Sequence, residues 1–366
     1  MTSSDGRVVG QTVAGEVGQG VLEVRDHLLS VSLIVCTYKR PIPLSTLLRS
    51  VQAQSLQPFE ILVVDGSPDD TTECALVEAG FDLPLRYFRV PPEERGLTRQ
   101  RNFGIARVSS RADIIAFLDD DTTLELNYFY ELTGTYLAHP DAVGVGGYIT
   151  GEVVWRKLDR GELGRSDEFT FDGWARKEDQ RNLFRRRLGL APDTPPCIMP
   201  TYSHGRSVSS IPPSGKTYPA EYFMGGVASY RRNLFDSVAF SHYFEGYGLY
   251  EDLDFTIRAS RQGMLYINTA AQVQHHHAPD GRPNRFAYGK MVVRNGWYVW
   301  RVRYPDPPLS GKVKWWMISI LLAGIRALNA LSGSNRLAAL TESAGRFVGM
   351  GSILVNKPRP EIVIRS

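Results

Sequence analysis

Three consecutive carboxylates, Asp119, Asp120 and Asp121, end the apolar segment that begins at Ala112. Their mutual repulsion is costly unless a cation or strong hydrogen-bond donors offset the charge. Oxygen ligands of this kind suit Mg²⁺ or Mn²⁺, ions that also bind the phosphates of substrates. Because the triplet stands at the exit of a buried strand, we favour a metal site over a solvated acidic turn.

A second acidic segment, Glu251-Asp252-Leu253-Asp254, stands where a helix is predicted to begin. Acidic residues are common there, because the helix dipole stabilises them. The functional interpretation is that Asp252 is a general base, which takes the proton from an acceptor hydroxyl.

The run His275-His276-His277 ends a predicted strand. Imidazole is a frequent metal ligand, although a histidine run can also be a surface feature without a role. Side chains alternate along a strand, so His275 and His277 share one face and His276 points away.

Basic residues precede the acidic strand. Arg95, Arg99 and Arg101 lie before and within a predicted helix. Guanidinium groups can neutralise a diphosphate, and they can equally form a solvated helix face.

Strands that alternate with helices must position these groups. Alternation of this kind predicts right-handed βαβ units and a parallel sheet, with ligands beyond the carboxyl ends of the strands. The segments Tyr38-Lys39-Arg40 and Asp65-Gly66-Ser67 and the acidic triplet all fall at such ends, with a turn through Pro41 and Pro43 after the first strand. The four predicted strands are Val31 to Tyr38, Phe59 to Asp65, Pro84 to Val90 and Ala112 to Asp121.

The chain divides into four predicted regions: a leader (1–30), a first α/β half (31–125), a second half (126–280) and a basic, aromatic, helical extension (281–366). The second half contains an insertion at about 151–220, which we predict to be irregular apart from one basic helix. The fold class is therefore α/β with a C-terminal helical extension.

The net charge of +3 on 366 residues does not indicate a general nucleic-acid binder. The N-terminus lacks a secretory pattern, and three scattered cysteines are typical of a reducing compartment. No apolar stretch reaches the roughly 18 residues of a membrane span. These features predict a cytoplasmic location.

Taken in order, several segments resemble the family 2 glycosyltransferases, which have the GT-A nucleotide-diphospho-sugar transferase fold. The resemblance covers about Val31 to His277, and the order and spacing of its motifs are more specific than any one motif. FLDDDT is similar to the DxD motif of the family, and EDLD to its base motif. The other segments are VSLIVCTYKRP, EILVVDGSPDDTTE, GLTRQRNFGI, YFMGGVASYRRNLFDSVAF and AQVQHHH.

The resemblance implies a Rossmann-like, mostly parallel sheet flanked by helices. It implies an inverting transfer of a sugar from a nucleotide diphosphate to an acceptor hydroxyl, with Mn²⁺ or Mg²⁺ as cofactor. The usual setting of such chains is bacterial surface polysaccharide or glycolipid synthesis, so the expected partners are a nucleotide sugar and a glycan or lipid-linked acceptor.

On the donor side, the resemblance implies that Asp65 contacts the nucleobase in a pocket lined by Thr37 and Tyr38. Asp119 would contact the ribose or the metal shell, and Arg101 the diphosphate. The full donor-side set is Thr37, Tyr38, Arg40, Asp65, Arg101, Asp119 and Asp120.

On the metal and acceptor side, Asp121 would bind the divalent metal together with His275, or with His277 as a substitute. Asp252 would be the catalytic base. The acceptor-side residues would be Gly225, Gly226 and Glu251.

The region from Arg282 to Trp316 contains eight Lys or Arg residues and one acid, Asp306, interleaved with Trp and Tyr. Aromatic and cationic residues beside a short apolar helix suit a membrane interface. We therefore expect either peripheral contact with the inner face of a membrane or a helix packed on the catalytic domain.

Three other functions are weighed against this one. Asp119 to Thr123 fits the DxDxT motif of haloacid-dehalogenase-like phosphatases, in which the first Asp is a nucleophile. That motif usually ends the first strand of its domain, whereas about three strands precede it here. A non-catalytic nucleotide-sugar-binding protein and a nucleotidyltransferase, which would release pyrophosphate, are the other two.

Overall fold

The computed structural model describes residues 29–276, 284–332 and 335–360. In these ranges the chain forms a nine-stranded sheet, a separate three-stranded sheet and nine α-helices. The strands are β1 Val31–Thr37, β2 Glu60–Asp65, β3 Leu85–Arg89, β4 Ile114–Asp119, β5 Thr122–Leu124, β6 Ala142–Thr150, β7 Trp155–Lys157, β8 Glu168–Phe171, β9 Trp174–Lys177, β10 Thr217–Ala220, β11 Val227–Arg231 and β12 Met264–His275. The helices are α1 Pro41–Gln52, α2 Thr71–Ala79, α3 Leu97–Ile105, α4 Tyr128–Ala138, α5 Gln180–Arg187, α6 Glu251–Ala259, α7 Arg285–Arg303, α8 Leu309–Ser332 and α9 Arg336–Val355.

The large sheet has the strand order β10-β12-β6-β11-β4-β1-β2-β3, and β5 pairs with β12. Strands β1, β2, β3, β4, β6 and β12 run in one direction, while β5, β10 and β11 run against them. The expected α/β fold, with a mostly parallel central sheet flanked by helices and with C-terminal helices, is confirmed.

Both faces of the sheet are covered, which explains why its central strands are apolar throughout. Ile34 and Leu62 face one core, and Leu33 and Val63 face the other. Helices α1, α2 and α4 pack on the second face, whereas α6, α7 and α8 contribute to the first. The strand ends are therefore the parts of this sheet that remain available for chemistry.

Two details near the first strand and the acidic strand differ from expectation. Pro41 and Pro43 lie in the first turn of α1 and not in a separate turn. A helix tolerates proline there, because the first backbone N–H groups have no partner within the helix. Strand β4 ends at Asp119, so that Asp120 and Asp121 form a tight turn into β5.

The segment 151–220 contains the predicted basic helix, α5, and is more regular elsewhere than the sequence indicates. Strands β7, β8 and β9 form the small antiparallel sheet, and β10 extends the large one. Strands of three or four residues are too short to give a periodic signal, so sequence reasoning missed them.

Helices α7, α8 and α9 pack on the α/β core and on one another. Trp297, Trp300 and Trp315 are buried, and the rings of Trp300 and Trp315 stack with centroids 5.7 Å apart. Trp300 Nε1 donates to the carbonyl of Thr201 at 2.9 Å. Of the two alternatives for this region, the packed helix therefore describes these three tryptophans, because they belong to the protein core. Within the described ranges, no helix is long and apolar enough to cross a membrane.

Candidate active site

The three polar strand ends meet at one edge of the sheet, because β1 lies between β2 and β4. In the register of these strands, Thr37 pairs with Asp65 and Cys36 pairs with Asp119. The sequence predicts this arrangement from the exits of parallel strands, and the structure brings the donor-side segments together there.

Asp120 is the carboxylate that fixes the acidic turn. It accepts a hydrogen bond from Thr37 Oγ1 at 2.6 Å and pairs with Arg40 at 3.1 Å. Arg40 also lies 3.6 Å from Asp121. Burial raises the pKa of Asp120 to about 6, against the opposing effect of these donors. Asp120 is thus held by protein groups, whereas the side chain of Asp119 is 39% exposed.

His275 reaches the acidic turn through strand pairing. The antiparallel pairing of β5 with β12 places His275 opposite Thr122, and the N–H of His276 donates to the carbonyl of Asp121 at 2.9 Å. A one-residue slip of this register would turn His275 to the other face. As a result, His275 Nε2 lies 3.0 Å from Asp121 Oδ1.

Asp119, Asp121 and His275 form a cluster that could hold a metal ion, since one ligand atom of each lies within 4.8 Å of the others. Two carboxylates and one imidazole make a mixed oxygen and nitrogen donor set, which suits Mn²⁺. His276 is exposed and contacts Thr123. His277, the expected substitute ligand, lies outside the described residues.

Arg101 links the acidic turn to helix α6. The guanidinium is 2% exposed, donates to Glu251 at 2.6 Å and lies 3.8 Å from Asp119. It also lies over the rings of Phe117 and Phe240. Buried between these groups, Arg101 is placed to position the carboxylates of Glu251 and Asp119. The resemblance had implied instead that Arg101 contacts the diphosphate.

Asp252 stands in the first turn of α6, next to Glu251. Its Oδ2 accepts from the N–H of Gly225 at 3.1 Å, and its Oδ1 from the N–H of Leu253 at 2.8 Å. Burial raises the pKa of Asp252, and these two N–H donors oppose the shift. A carboxylate with a raised pKa is suited to accept a proton from a hydroxyl.

Gly225 and Gly226 join the metal cluster to the candidate base. A Cβ on Gly226 would overlap the carboxylate of Asp119, and one on Gly225 would meet Arg101, Asp252 and Glu251 at 2.7 to 3.0 Å. Only glycine lets the backbone pass this close to both groups. These two glycines therefore lie in the same small volume as four charged residues of the site: Asp119, Arg101, Asp252 and Glu251.

Asp65 lies deeper than expected. It is fully buried, its Oδ1 accepts from the N–H and hydroxyl of Ser67, and its Oδ2 accepts from the hydroxyl of Tyr87 at 2.8 Å. Ser67 also accepts from the N–H of Lys39 at 2.8 Å. Asp65 thus holds the loop in which Tyr38 is 48% exposed, and both of its oxygens already have protein partners.

Sequence reasoning missed Gln100. Its amide nitrogen donates to the carbonyls of Thr37 and Val64, and its oxygen accepts from the N–H of Gly96. Gln100 therefore fastens α3 to the ends of β1 and β2. The sequence feature that could have identified Gln100 is its place next to Arg101 in α3, a helix that the sequence analysis had selected for its basic residues.

The sequence model of the family described as "Glycosyl transferase family 2" matches residues 32–201, the region that carries the strand ends and the acidic turn. The resemblance to the family 2 glycosyltransferases is therefore confirmed over this region of the chain.

Curated relatives of the chain match over limited lengths. Glucosyl-dolichyl phosphate glucuronosyltransferase of Haloferax volcanii is 35% identical over 133 residues, which cover 35% of this chain and 41% of the relative. GalNAc(5)-diNAcBac-PP-undecaprenol beta-1,3-glucosyltransferase of Campylobacter jejuni is 32% identical over 95 residues, which cover 26% of this chain and 30% of the relative. The chain thus spans less than half the length of either relative.

Among solved structures, the chain is similar to that of GalNAc-T7 with UDP, GalNAc and Mn²⁺. The TM-score is 0.49 at 15% identity, over 91% of this chain and 59% of the other. The phosphatase alternative is not favoured, because the matched family is one of transferases and because His275 and Asp252 gather around the acidic turn.

Proposed function

We propose that this protein is a metal-dependent, inverting glycosyltransferase, which moves a sugar from a nucleotide diphosphate to an acceptor hydroxyl. One observation carries the proposal: Gly225 and Gly226 join a cluster of possible metal ligands on one side to the partly buried carboxylate of Asp252 on the other. A leaving diphosphate needs a nearby cation to stabilise its negative charge. An attacking hydroxyl needs a nearby carboxylate to accept its proton.

Asp119, Asp121 and His275 would hold the metal, for which Mn²⁺ and Mg²⁺ both remain candidates. A bound divalent cation supplies Lewis-acid stabilisation of the negative charge on a leaving diphosphate. Arg40, whose guanidinium lies between Asp120 and Asp121, adds positive charge at the same edge.

Asp252 would accept the proton of the acceptor hydroxyl as the oxygen attacks the anomeric carbon. A single displacement then inverts that carbon and needs no covalent intermediate on the enzyme. The N–H groups of Gly225 and Leu253 orient the carboxylate for this transfer. Glu251, paired with Arg101, would position the start of α6 beside the acceptor.

In this proposal, residues 31–125 bind the nucleotide sugar and residues 126–280 provide the acceptor side. Thr37, Tyr38 and Arg40 would line the nucleotide pocket. Asp65 would shape that pocket through Ser67 and Tyr87, because both of its oxygens are bonded to them.

Two relatives are named for a dolichyl phosphate and a PP-undecaprenol substrate. These names support a lipid-linked acceptor for this protein, and therefore a role in glycolipid or surface-polysaccharide synthesis. We extend the proposal to peripheral contact with the cytoplasmic face of a membrane. Helix α8 exposes an apolar stripe at helical spacing: Leu309, Val313, Met317, Ile320, Leu328 and Leu331. Sedimentation with anionic liposomes at low salt tests this contact, and protein that stays in the supernatant contradicts it.

A panel of nucleotide sugars tests the proposed reaction. The purified protein is incubated with each sugar and Mn²⁺ or Mg²⁺, and released nucleoside diphosphate is measured, since many transferases slowly hydrolyse their donor without an acceptor. We expect metal-dependent release from one donor. Release of pyrophosphate would indicate a nucleotidyltransferase, and donor binding without release would indicate a binding protein.

A further inference from the structure

An arginine-lined cavity lies beside the candidate base. Its volume is about 570 Å³, and it is bounded by α5, by the segment from Met199 to Ser210 and by helices α7, α8 and α9. Tyr250 and Leu253, which flank Glu251 and Asp252, form part of its wall. None of the donor-side residues at the strand ends lines it.

Arginine dominates the lining. Two acids, Glu152 and Asp179, face the cavity among the described residues, against five arginines: Arg176, Arg181, Arg185, Arg206 and Arg346. Arg206 is matched by Glu178, which lies behind it, at 2.8 Å, and Arg346 by Glu342 at 2.8 Å. Arg181 is paired with Asp179 at 3.3 Å. Arg176 and Arg185 then remain against Glu152, so the lining with its ion-pair partners carries one more positive than negative charge.

Arg185 has no carboxylate within ion-pair distance among the described residues. It is 5% exposed and donates to the carbonyls of Leu190 and His204 and to the amide oxygen of Asn182. Burial, together with the nearby positive charges, lowers the pKa of Arg185 to about 10. A buried cation that only neutral oxygens solvate is costly unless an anion arrives.

Arg176 is only weakly paired, because the carboxylate of Glu178 lies 3.8 Å away and is already paired with Arg206 at 2.8 Å. Arg176 is 9% exposed, its Nε has no hydrogen-bond partner among the described residues, and burial lowers its pKa. Burial, with Arg185 and Arg346 nearby, lowers the pKa of His204 to about 3, so the imidazole is neutral. The surplus charge is therefore concentrated on guanidinium groups, whose planar donor forks match phosphate oxygens.

A neighbouring cavity of about 350 Å³ extends this basic region. It shares Arg181 and Arg346 with the first cavity and adds Arg285 and Arg326. Ile325 of α8 also lines it. Glu342 lines it as well and pairs with Arg326 and Arg346, so the basic region continues beyond the first cavity with part of its charge neutralised.

We propose that the arginine-lined cavity binds the phosphate or pyrophosphate ester group of a phosphorylated acceptor, with its reacting hydroxyl at Asp252. This inference rests on the proposed function, because only a transferase has an acceptor. A phosphorylated acceptor would supply the negative charge that Arg185 lacks, and would give Arg176 a closer partner than Glu178 at 3.8 Å. The bound phosphate would also hold the acceptor at a fixed distance from Asp252. This site is separate from the strand ends, where the donor diphosphate would bind.

Calorimetry with inorganic pyrophosphate, in the presence of a chelator, tests this site. The chelator removes divalent metal and with it metal-held diphosphate at Asp121. We expect the wild-type protein to bind pyrophosphate and Arg185→Gln to bind it about tenfold or more weakly, as the loss of a charge-assisted hydrogen bond predicts. Arg187→Gln is the matched control, because Arg187 is exposed on the same helix and does not line the cavity.

Arg181→Gln covers the case in which Arg185→Gln fails to fold. The side chain of Arg181 is 65% exposed and lines both cavities, so its replacement should weaken pyrophosphate binding several-fold and leave the circular dichroism spectrum unchanged. Farnesyl diphosphate replaces pyrophosphate in a second arm. Tighter binding of the prenyl ester assigns the site to a lipid-linked acceptor, and equal binding assigns it to a water-soluble one.

Absence of pyrophosphate binding, or equal binding by the wild-type protein and both cavity variants, overturns the inference. Donor cleavage by the wild-type protein is measured separately. Cleavage without cavity binding would reject the phosphate site alone. Cavity binding without cleavage of any donor would reject the proposed function, and with it the role of the bound phosphate as part of an acceptor, while the anion site itself would stand.

Discussion

Arg101 and Glu251, 150 residues apart in the chain, form an ion pair of 2.6 Å in which both side chains are almost completely buried. The pair joins helix α3, which follows strand β3 in the chain, to helix α6, which carries Asp252. It also places the guanidinium 3.8 Å from Asp119. The two halves of the site are therefore held together by one arginine.

Replacing Arg101 should destabilise the whole fold. Arg101→Gln leaves Glu251 without its partner, and breaking a buried pair in this way costs about 3–5 kcal/mol. The matched control is Arg99→Gln on the same helix, whose pair with Glu245 lies near the surface and should cost at most about 1 kcal/mol. Urea unfolding measures both, and equal midpoints for the two variants would contradict a central role for Arg101.

Asp121 and His275 should control metal affinity. Asp121→Ala and His275→Ala each remove one ligand atom from the cluster, so each should weaken Mn²⁺ binding by about tenfold or more. Asp306→Asn is the control, because Asp306 is 92% exposed and far from the sheet edge in sequence. The free Mn²⁺ signal in electron paramagnetic resonance gives the affinity; unchanged affinity in both variants would remove the metal from the proposed function.

A single methyl group at Gly226 should damage the metal cluster. In Gly226→Ala the new Cβ overlaps the carboxylate of Asp119, which must turn away or push the strand aside. We expect weaker Mn²⁺ binding and slower donor cleavage. Gly134→Ala is the control, because a Cβ at Gly134 meets nothing within 4 Å. Equal behaviour of the two variants would show that the approach of Gly226 to Asp119 is unimportant.

The transfer rate should depend on pH through Asp252. Burial raises the pKa of Asp252, and a general base must be ionised to accept a proton. Transfer should therefore be fully active above this raised pKa and decline as the pH falls through it. The decline should occur at a higher pH than for an exposed aspartate, whose pKa is about 3.9. A profile of kcat/KM that stays flat down to that pH would argue against Asp252 as the base.

The sequence predicted the strand exits well, because buried parallel strands read as unbroken apolar runs such as Val31 to Thr37. It also grouped Asp121 with His275, through motif resemblance. It did not predict the register by which β5 carries His275 to Asp121, since β5 has only three residues. Long-range pairs such as Arg101 with Glu251 are likewise set by tertiary packing, which no local pattern records.

Burial accounts for the remaining differences. Asp65 and Arg101 are polar residues in the right segments, yet the structure places both below the surface with protein partners. From the sequence, Trp297, Trp300 and Trp315 fitted either a membrane interface or a packed helix, and the structure places them in the core. In each case the residue type was informative, but the sequence did not show whether the side chain is exposed or buried.

The most direct test compares Asp121→Ala with Asp252→Asn in the same two assays, donor binding with metal and sugar transfer to an acceptor. We predict that Asp121→Ala loses metal-dependent donor binding and transfer together. Asp252→Asn should bind donor normally and lose transfer by a factor of about 10²–10⁴, the usual contribution of a general base. Full transfer activity in Asp252→Asn, or normal metal-dependent donor binding in Asp121→Ala, would contradict the division of the site into a metal side and a base side.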